Sequence, residues 1–161
     1  LVLVFGLGSW PAVGDEPAIP AKAAFAKLKE LAGEWKGTGQ HGVETIVYKV
    51  TANGSALTET LFPGTSHEMV TVYHMDGSDL RLTHYCASGN QPRLKLDKAA
   101  SKPNLLVFDF EGGTNLDPST DLHMHASRVM FLDGGKIETQ WDAYAQGKKL
   151  ETKKLVLDRA R

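Results

Sequence analysis

Thr45-Ile46-Val47-Tyr48-Lys49-Val50-Thr51-Ala52-Asn53-Gly54-Ser55-Ala56-Leu57-Thr58-Glu59-Thr60-Leu61 is the stretch that decides the fold. Two runs rich in β-branched residues flank Asn53-Gly54, a pair that tolerates the positive φ needed at both central positions of a type I′ hairpin turn. Taken as a two-residue turn, it sets Val50 opposite Leu57, Tyr48 opposite Glu59 and Ile46 opposite Leu61. That face is apolar apart from Glu59 and the tyrosine hydroxyl, so it reads as the inner side of a sheet.

Outward from this hairpin, turn signals recur about every ten residues, at Asp76-Gly77, Gly112-Gly113, Gly134-Gly135 and Gln146-Gly147. They delimit strands expected at 34–40, 43–52, 55–62, 67–75, 80–88, 93–100, 104–111, 121–132, 136–145 and 148–158. Residues 21–32 (AKAAFAKLKELA) predict a helix, with Ala24, Phe25, Leu28, Leu31 and Ala32 on one stripe and Gly33 ending it. A flat meander would leave two unpaired edges and an uncovered apolar face, and closure removes both. The expected fold is therefore all-β: an antiparallel up-and-down barrel of about ten strands with one short N-terminal helix. A β-sandwich is the alternative.

Length and composition bound the rest. The chain has 161 residues, and its 18 Lys+Arg against 19 Asp+Glu give a net charge of −1, which removes the electrostatic case for nucleic acid. Apolar residues at 42% and charged residues at 23% exclude wholesale disorder. A lone cysteine, Cys86, excludes an internal disulfide framework and a Cys-rich zinc module. Residues 1–14 open on the uncharged run LVLVFGLGSWPAV, too short to span a membrane, and read as a truncated signal peptide. An N-terminal strand or a misplaced gene start is the alternative. Residues 15–20, with two prolines, are expected to be a linker, leaving 21–161 as the domain. The mature protein is expected to be secreted or periplasmic, without a membrane span.

The same parity reasoning places the remaining polar side chains. If Gly134-Gly135 is a two-residue turn, Met130 faces Thr139 and Arg128 faces Trp141, with Met124 and Ala126 on the same inner side. Glu59 and Arg128 then both point inward, and each needs a partner, water or ligand. Around Asp76–Asp79, Thr71 faces His84 and Met69 faces Cys86, so Met69, Tyr73, Leu82, His84 and Cys86 share the interior. His84 with Cys86 could be a nucleophile and base or two metal ligands, but a buried apolar thiol beside a hydrogen-bonded histidine explains the pair as well. His123 and His125, two apart on a strand, share one face; they could ligate a metal, or lie solvated on the outer side. Gly37-x-Gly39-x-x-Gly42 lacks the following helix that a dinucleotide site needs, and reads instead as a bend in the first strand. Asn90, Gln91 and Arg93 gather in the segment Ser88 to Arg93, either as a rim for a polar ligand or as a self-satisfied hairpin loop. The lysines of the last strand read as a solvated outer face.

Leu31-Ala32-Gly33-Glu34-Trp35-Lys36-Gly37-Thr38-Gly39, a Gly-x-Trp entry into a first strand after a short helix, resembles the calycins: lipocalin, fatty-acid-binding and nitrobindin-like barrels. The resemblance implies that Trp35 closes one barrel end and packs on a basic residue from a late strand, with Arg128 as the match. In fatty-acid-binding barrels an inward Arg and Tyr hold a carboxylate, and the resemblance implies the same task for Arg128. In nitrobindin-like domains a late histidine holds haem; the last histidine here is His125. The run from His84 to Arg93 is similar to exported bacterial proteins of an uncharacterised family, which implies no activity.

The expected function is an exported barrel holding a small, largely apolar or amphipathic molecule, with an anionic one as the variant that an inward Arg128 would suit. Its walls would be Tyr48, Met69, Tyr73, His84, Cys86, Met124, Met130 and Trp141, with Glu59 and Arg128 supplying polarity. No catalytic residue, cofactor or resident metal is expected. The alternative is a metal- or haem-binding protein or small hydrolase using His84 with Cys86, or His123 with His125, and haem or zinc would be its cofactor. A barrel filled by its own side chains is the third possibility.

Overall fold

The structure is a computed structural model that describes residues 17–39 and 42–160. The expected signal peptide, residues 1–14, lies outside the described residues. Of the expected linker, Ile19 is buried and its N–H reaches the Ser101 carbonyl at 3.3 Å.

Helix α1 (Ala21–Lys29) buries Ala21, Ala24, Phe25 and Leu28. Its expected final turn tightens: Glu30, Leu31 and Ala32 donate to carbonyls three residues back before the chain enters the first strand. Ten strands follow among the described residues: β1 (Gly33–Gly39), β2 (Gly42–Thr51), β3 (Ala56–Leu61), β4 (Met69–Asp76), β5 (Asp79–Tyr85), β6 (Gln91–Leu96), β7 (Leu105–Thr114), β8 (His123–Phe131), β9 (Ile137–Ala145) and β10 (Lys148–Arg159). Each pairs antiparallel with its sequence neighbours, and β10 returns to β1, so the sheet is a closed up-and-down barrel. Among the described residues, no helix is long and apolar enough to cross a membrane.

Closure depends on a close approach. A Cβ on Gly37 would lie 2.2 Å from the Val156 carbonyl of β10, so the seam admits only glycine there. Helix α1 covers the barrel end where the β2–β3 and β4–β5 hairpins turn: Lys29 Nζ donates to the Gly54 carbonyl, and Lys27 sits over the Phe131 ring. Inside, Leu57, Leu80, Leu82, Leu94, Leu106, Phe108, Val129 and Ile137 are all buried. At about 25 cal/mol per Å², such burial is the main favourable term holding the cylinder together.

The β2–β3 register is as the turn reading expects, with Val50, Tyr48 and Ile46 opposite Leu57, Glu59 and Leu61. The connection is longer than expected, because Thr51 pairs with Ala56 and four residues turn between them. An even number preserves parity, which is why the inner face survives the change. The β8–β9 connection differs in the opposite sense. The Leu132 N–H donates to the Lys136 carbonyl, leaving three residues, Asp133–Gly135, in the turn. An odd loop flips every side chain beyond it. Val129 therefore opposes Thr139 and Ser127 opposes Trp141, while Arg128 opposes Gln140 and Met130 opposes Glu138. The inward direction expected for Arg128 and Met130 is thereby corrected. A β-bulge between Met124 and Ala126 reverses parity once more, so Met124 does pack against the core as expected.

Candidate functional site

A polar row crosses four adjacent strands inside the barrel. Tyr48 of β2 opposes Glu59 of β3, Glu59 opposes Thr71 of β4, and Thr71 opposes His84 of β5. All four are at most 1% exposed. The Tyr48 hydroxyl donates to Glu59 Oε1 at 2.9 Å, and the Tyr73 hydroxyl, two residues from Thr71, donates to Oε2 at 2.7 Å. The Thr71 hydroxyl oxygen lies 3.0 Å from His84 Nδ1. A carboxyl in an apolar interior is costly unless it is hydrogen-bonded, and one phenol hydroxyl on each Glu59 oxygen supplies that compensation.

The electrostatics follow from the same burial. Removal from water raises the Glu59 pKa, and the neighbouring hydroxyls of Tyr73, Tyr48 and Thr71 bring it part of the way back. Tyr48 and Tyr73 are pushed well above the ordinary phenol value, first by burial and then by the Glu59 charge, so both remain protonated donors. Burial lowers His84 to about 4, which makes it a neutral imidazole at physiological pH.

Across the lumen, Trp141 of β9 brings its ring to 4.7 Å from that of His84, tilted by 38°. Both rings are buried, yet His84 Nε2 and Trp141 Nε1 have no hydrogen-bond partner among the described residues. Asn90 Oδ1 is a third such atom, at the β5–β6 turn. Buried groups of this kind are rare in folded proteins, because each forfeits its bonds to water without replacement. Met69 and Met124 pack against the core, and their unbranched thioethers adapt to irregular space.

The expected wall residues thus divide. Tyr48, Glu59, Met69, Tyr73, His84, Met124 and Trp141 belong to the core or pack against it. Cys86 does not join His84: β5 ends at Tyr85, and the half-buried thiol bonds the Ser88 hydroxyl at 3.5 Å. Arg128 sits away from the lumen, where it donates to Asp142 at 3.0 Å. Lys149 and Thr152 also bond that carboxylate; burial opposes its ionisation, but the three partners hold it at about 2. The basic partner of Trp35 is Arg159, not Arg128. Its guanidinium lies 4.5 Å from the centre of the Trp35 ring and donates to the Ala32 and Glu30 carbonyls, while Trp35 Nε1 donates to the Leu31 carbonyl. Trp35 opposes Arg159 across the closing seam, a pairing that a search confined to hairpin neighbours misses.

His123 and His125 are not a solvated pair. His123 is 1% exposed, its Nδ1 donates to the Asp121 carbonyl, and its Nε2 accepts from His125 Nδ1 at 2.9 Å. His125 is stacked between Phe110 and Tyr144. The nitrogens that would ligate a metal together are turned to each other, and no group of three His, Cys, Asp or Glu side chains suited to a metal occurs among the described residues. Gln91 and Arg93 bond Gly89 and Thr114, and the Asn90 amide donates to the Leu122 carbonyl, so this loop is largely self-satisfied. An outer groove of about 480 Å³ runs past Lys95, Asp97, Asp109 and Glu111. Its charges engage one another, as in Lys95 with Glu111, and none of the buried unpartnered atoms lines it.

No known family model matches the chain, and no curated protein matches it in sequence.

Proposed function

We propose that this protein is an exported barrel that binds a small, largely apolar molecule in its interior, beside the His84–Trp141 pair. The observation that carries the reading is the pair of buried ring nitrogens, His84 Nε2 and Trp141 Nε1, on touching rings from strands four apart in the barrel order, neither with a hydrogen-bond partner among the described residues. A guest that bonds both recovers what burial has removed. The breadth of a ten-stranded cylinder supports this, since eight strands already leave room for side chains or one small ligand. Leucines and phenylalanine line most of the interior and supply apolar contact, while the polar row orients the guest.

With Arg128 outside, no lysine or arginine is buried among the described residues; the buried carboxyls are Glu59, in the inner polar row, and Asp142, which Arg128 and Lys149 pair. The guest is accordingly uncharged rather than anionic. Native mass spectrometry of gently purified protein tests the reading. A co-purified small molecule is expected, released on unfolding, and Trp141→Phe should weaken its retention about five- to tenfold through one lost hydrogen bond. Bare chain mass, together with Trp141 fluorescence indifferent to a library of small apolar compounds, would overturn it. Export rests on the apolar run LVLVFGLGSWPAV; recovery of the processed chain outside the cytoplasm is the expected result of fractionation.

A further inference from the structure

At the barrel end opposite α1, the ladder between β7 and β8 stops short. Its last pair is Asp109–Ala126, although β8 reaches back to His123 and β7 runs on to Thr114 beside β6. His125 is bulged out of the β8–β9 ladder, between the pairs Met124–Ala143 and Ala126–Asp142. Past the last rung, rings rather than ladder hydrogen bonds join the strands. The Phe110 ring of β7 lies 4.7 Å from that of His125 and 5.1 Å from that of His123, and Tyr144 of β9 lies 4.1 Å from His125.

A main-chain carbonyl fixes the hydrogen-bond polarity here. The Asp121 carbonyl can only accept, so His123 Nδ1, 2.9 Å away, carries a proton. In the neutral ring His123 Nε2 is then a lone pair, which accepts from His125 Nδ1–H at 2.9 Å. His125 Nε2 has no hydrogen-bond partner among the described residues. A first proton adds to that nitrogen and leaves the contact intact. A second must go to His123 Nε2, and two N–H groups on two charged rings then face each other.

We infer that the His123–His125 contact is a one-proton latch, which holds the β7–β8 corner together while the pair carries no more than one proton and releases it when both rings are charged. The surrounding charges do not cancel that repulsion. Asp142 is engaged by Arg128 and Lys149, Asp109 lies near Arg128, and the Asp121 carboxylate accepts from the Asp117 N–H and the Thr120 hydroxyl. Burial, and then His123, hold the His125 pKa below its ordinary value, while Asp109 and Asp142 pull weakly the other way. An opened corner gives both rings to water, where each takes a proton near about 6.5, so falling pH favours opening. The latch works with or without a guest in the interior.

Nuclear magnetic resonance on the full chain tests it. At pH 7.5, long-range 1H–15N spectra should show both rings protonated at Nδ1, with His125 assigned by its loss in His125→Asn. Between pH 7.5 and pH 5, amide protection factors at Met124 and Tyr144 should fall by at least about tenfold, with the β4–β5 hairpin unchanged. His125→Asn should cut that fall to about threefold or less, because an amide can turn either its NH2 or its oxygen to His123 Nε2. Either ring protonated on Nε2 at pH 7.5 would break the relay and overturn the latch. So would protection that is indifferent to acid, or a fall as large in His125→Asn as in the wild type.

Discussion

His84 has its pKa lowered to about 4 because its ring is held out of water, and acid is therefore a probe of its burial. In the unfolded chain the same ring takes a proton near 6.5. Between these values the unfolded state binds more protons than the native state, so this contribution to stability is lost as pH falls from about 6.5 to about 4. Glu59 acts in the opposite sense: its raised pKa means the native state gains stability relative to the unfolded one as pH falls. Comparing wild type with His84→Gln isolates the histidine, since Glu59 is common to both. Urea unfolding at pH 7 and pH 4.5 should show the wild type losing about 2 kcal/mol more than the variant. Equal losses would place His84 in water. At this scale the sequence was partly legible: Glu59 opposite Tyr48 and Thr71 opposite His84 follow from hairpin parity alone. That the Tyr73 hydroxyl also bonds Glu59 was not legible, because it depends on how β4 lies beside β3.

Among the elements, the junction of α1, β1 and β10 concentrates the consequences of one side chain. Arg159 stacks on Trp35 and donates to two carbonyls at the end of the helix, binding the last strand to the first and both to α1. Arg159→Leu should cost about 2 kcal/mol in urea unfolding, from one cation–π contact and two charge-assisted hydrogen bonds. Arg128→Leu should cost about 1 kcal/mol or less, because Lys149 and Thr152 still bond Asp142, and it should leave Trp141 fluorescence unchanged. A larger effect from Arg128 than from Arg159 would reverse the assignment of the Trp35 partner. The two hairpins with Asn-Gly and Gly-Gly signals explain why one arginine was misplaced. Both signals mark a turn correctly. Only the count of turn residues, four in one and three in the other, decides whether inner and outer faces exchange, and glycine permits either count.

The whole molecule is closed by a seam that tolerates no side chain at Gly37, where a Cβ would meet the Val156 carbonyl of β10. Gly37→Val should separate β1 from β10 locally and lower stability by about 2–3 kcal/mol. Amide hydrogen exchange should accelerate first at the pairs Trp35–Arg159 and Lys36–Asp158, with the β4–β5 hairpin protected as before. Uniform loss of protection would mean that the seam is not a separate point of weakness. The sequence by itself determined ten strands, one helix and antiparallel order, because turn-forming residues and apolar alternation act over a few neighbouring positions. Only the tertiary structure decided that Arg159 meets Trp35, that Arg128 lies outside and that Trp141 meets His84. Those contacts join positions far apart in the chain, and their sides depend on loop lengths, a bulge and ring closure that no local pattern specifies.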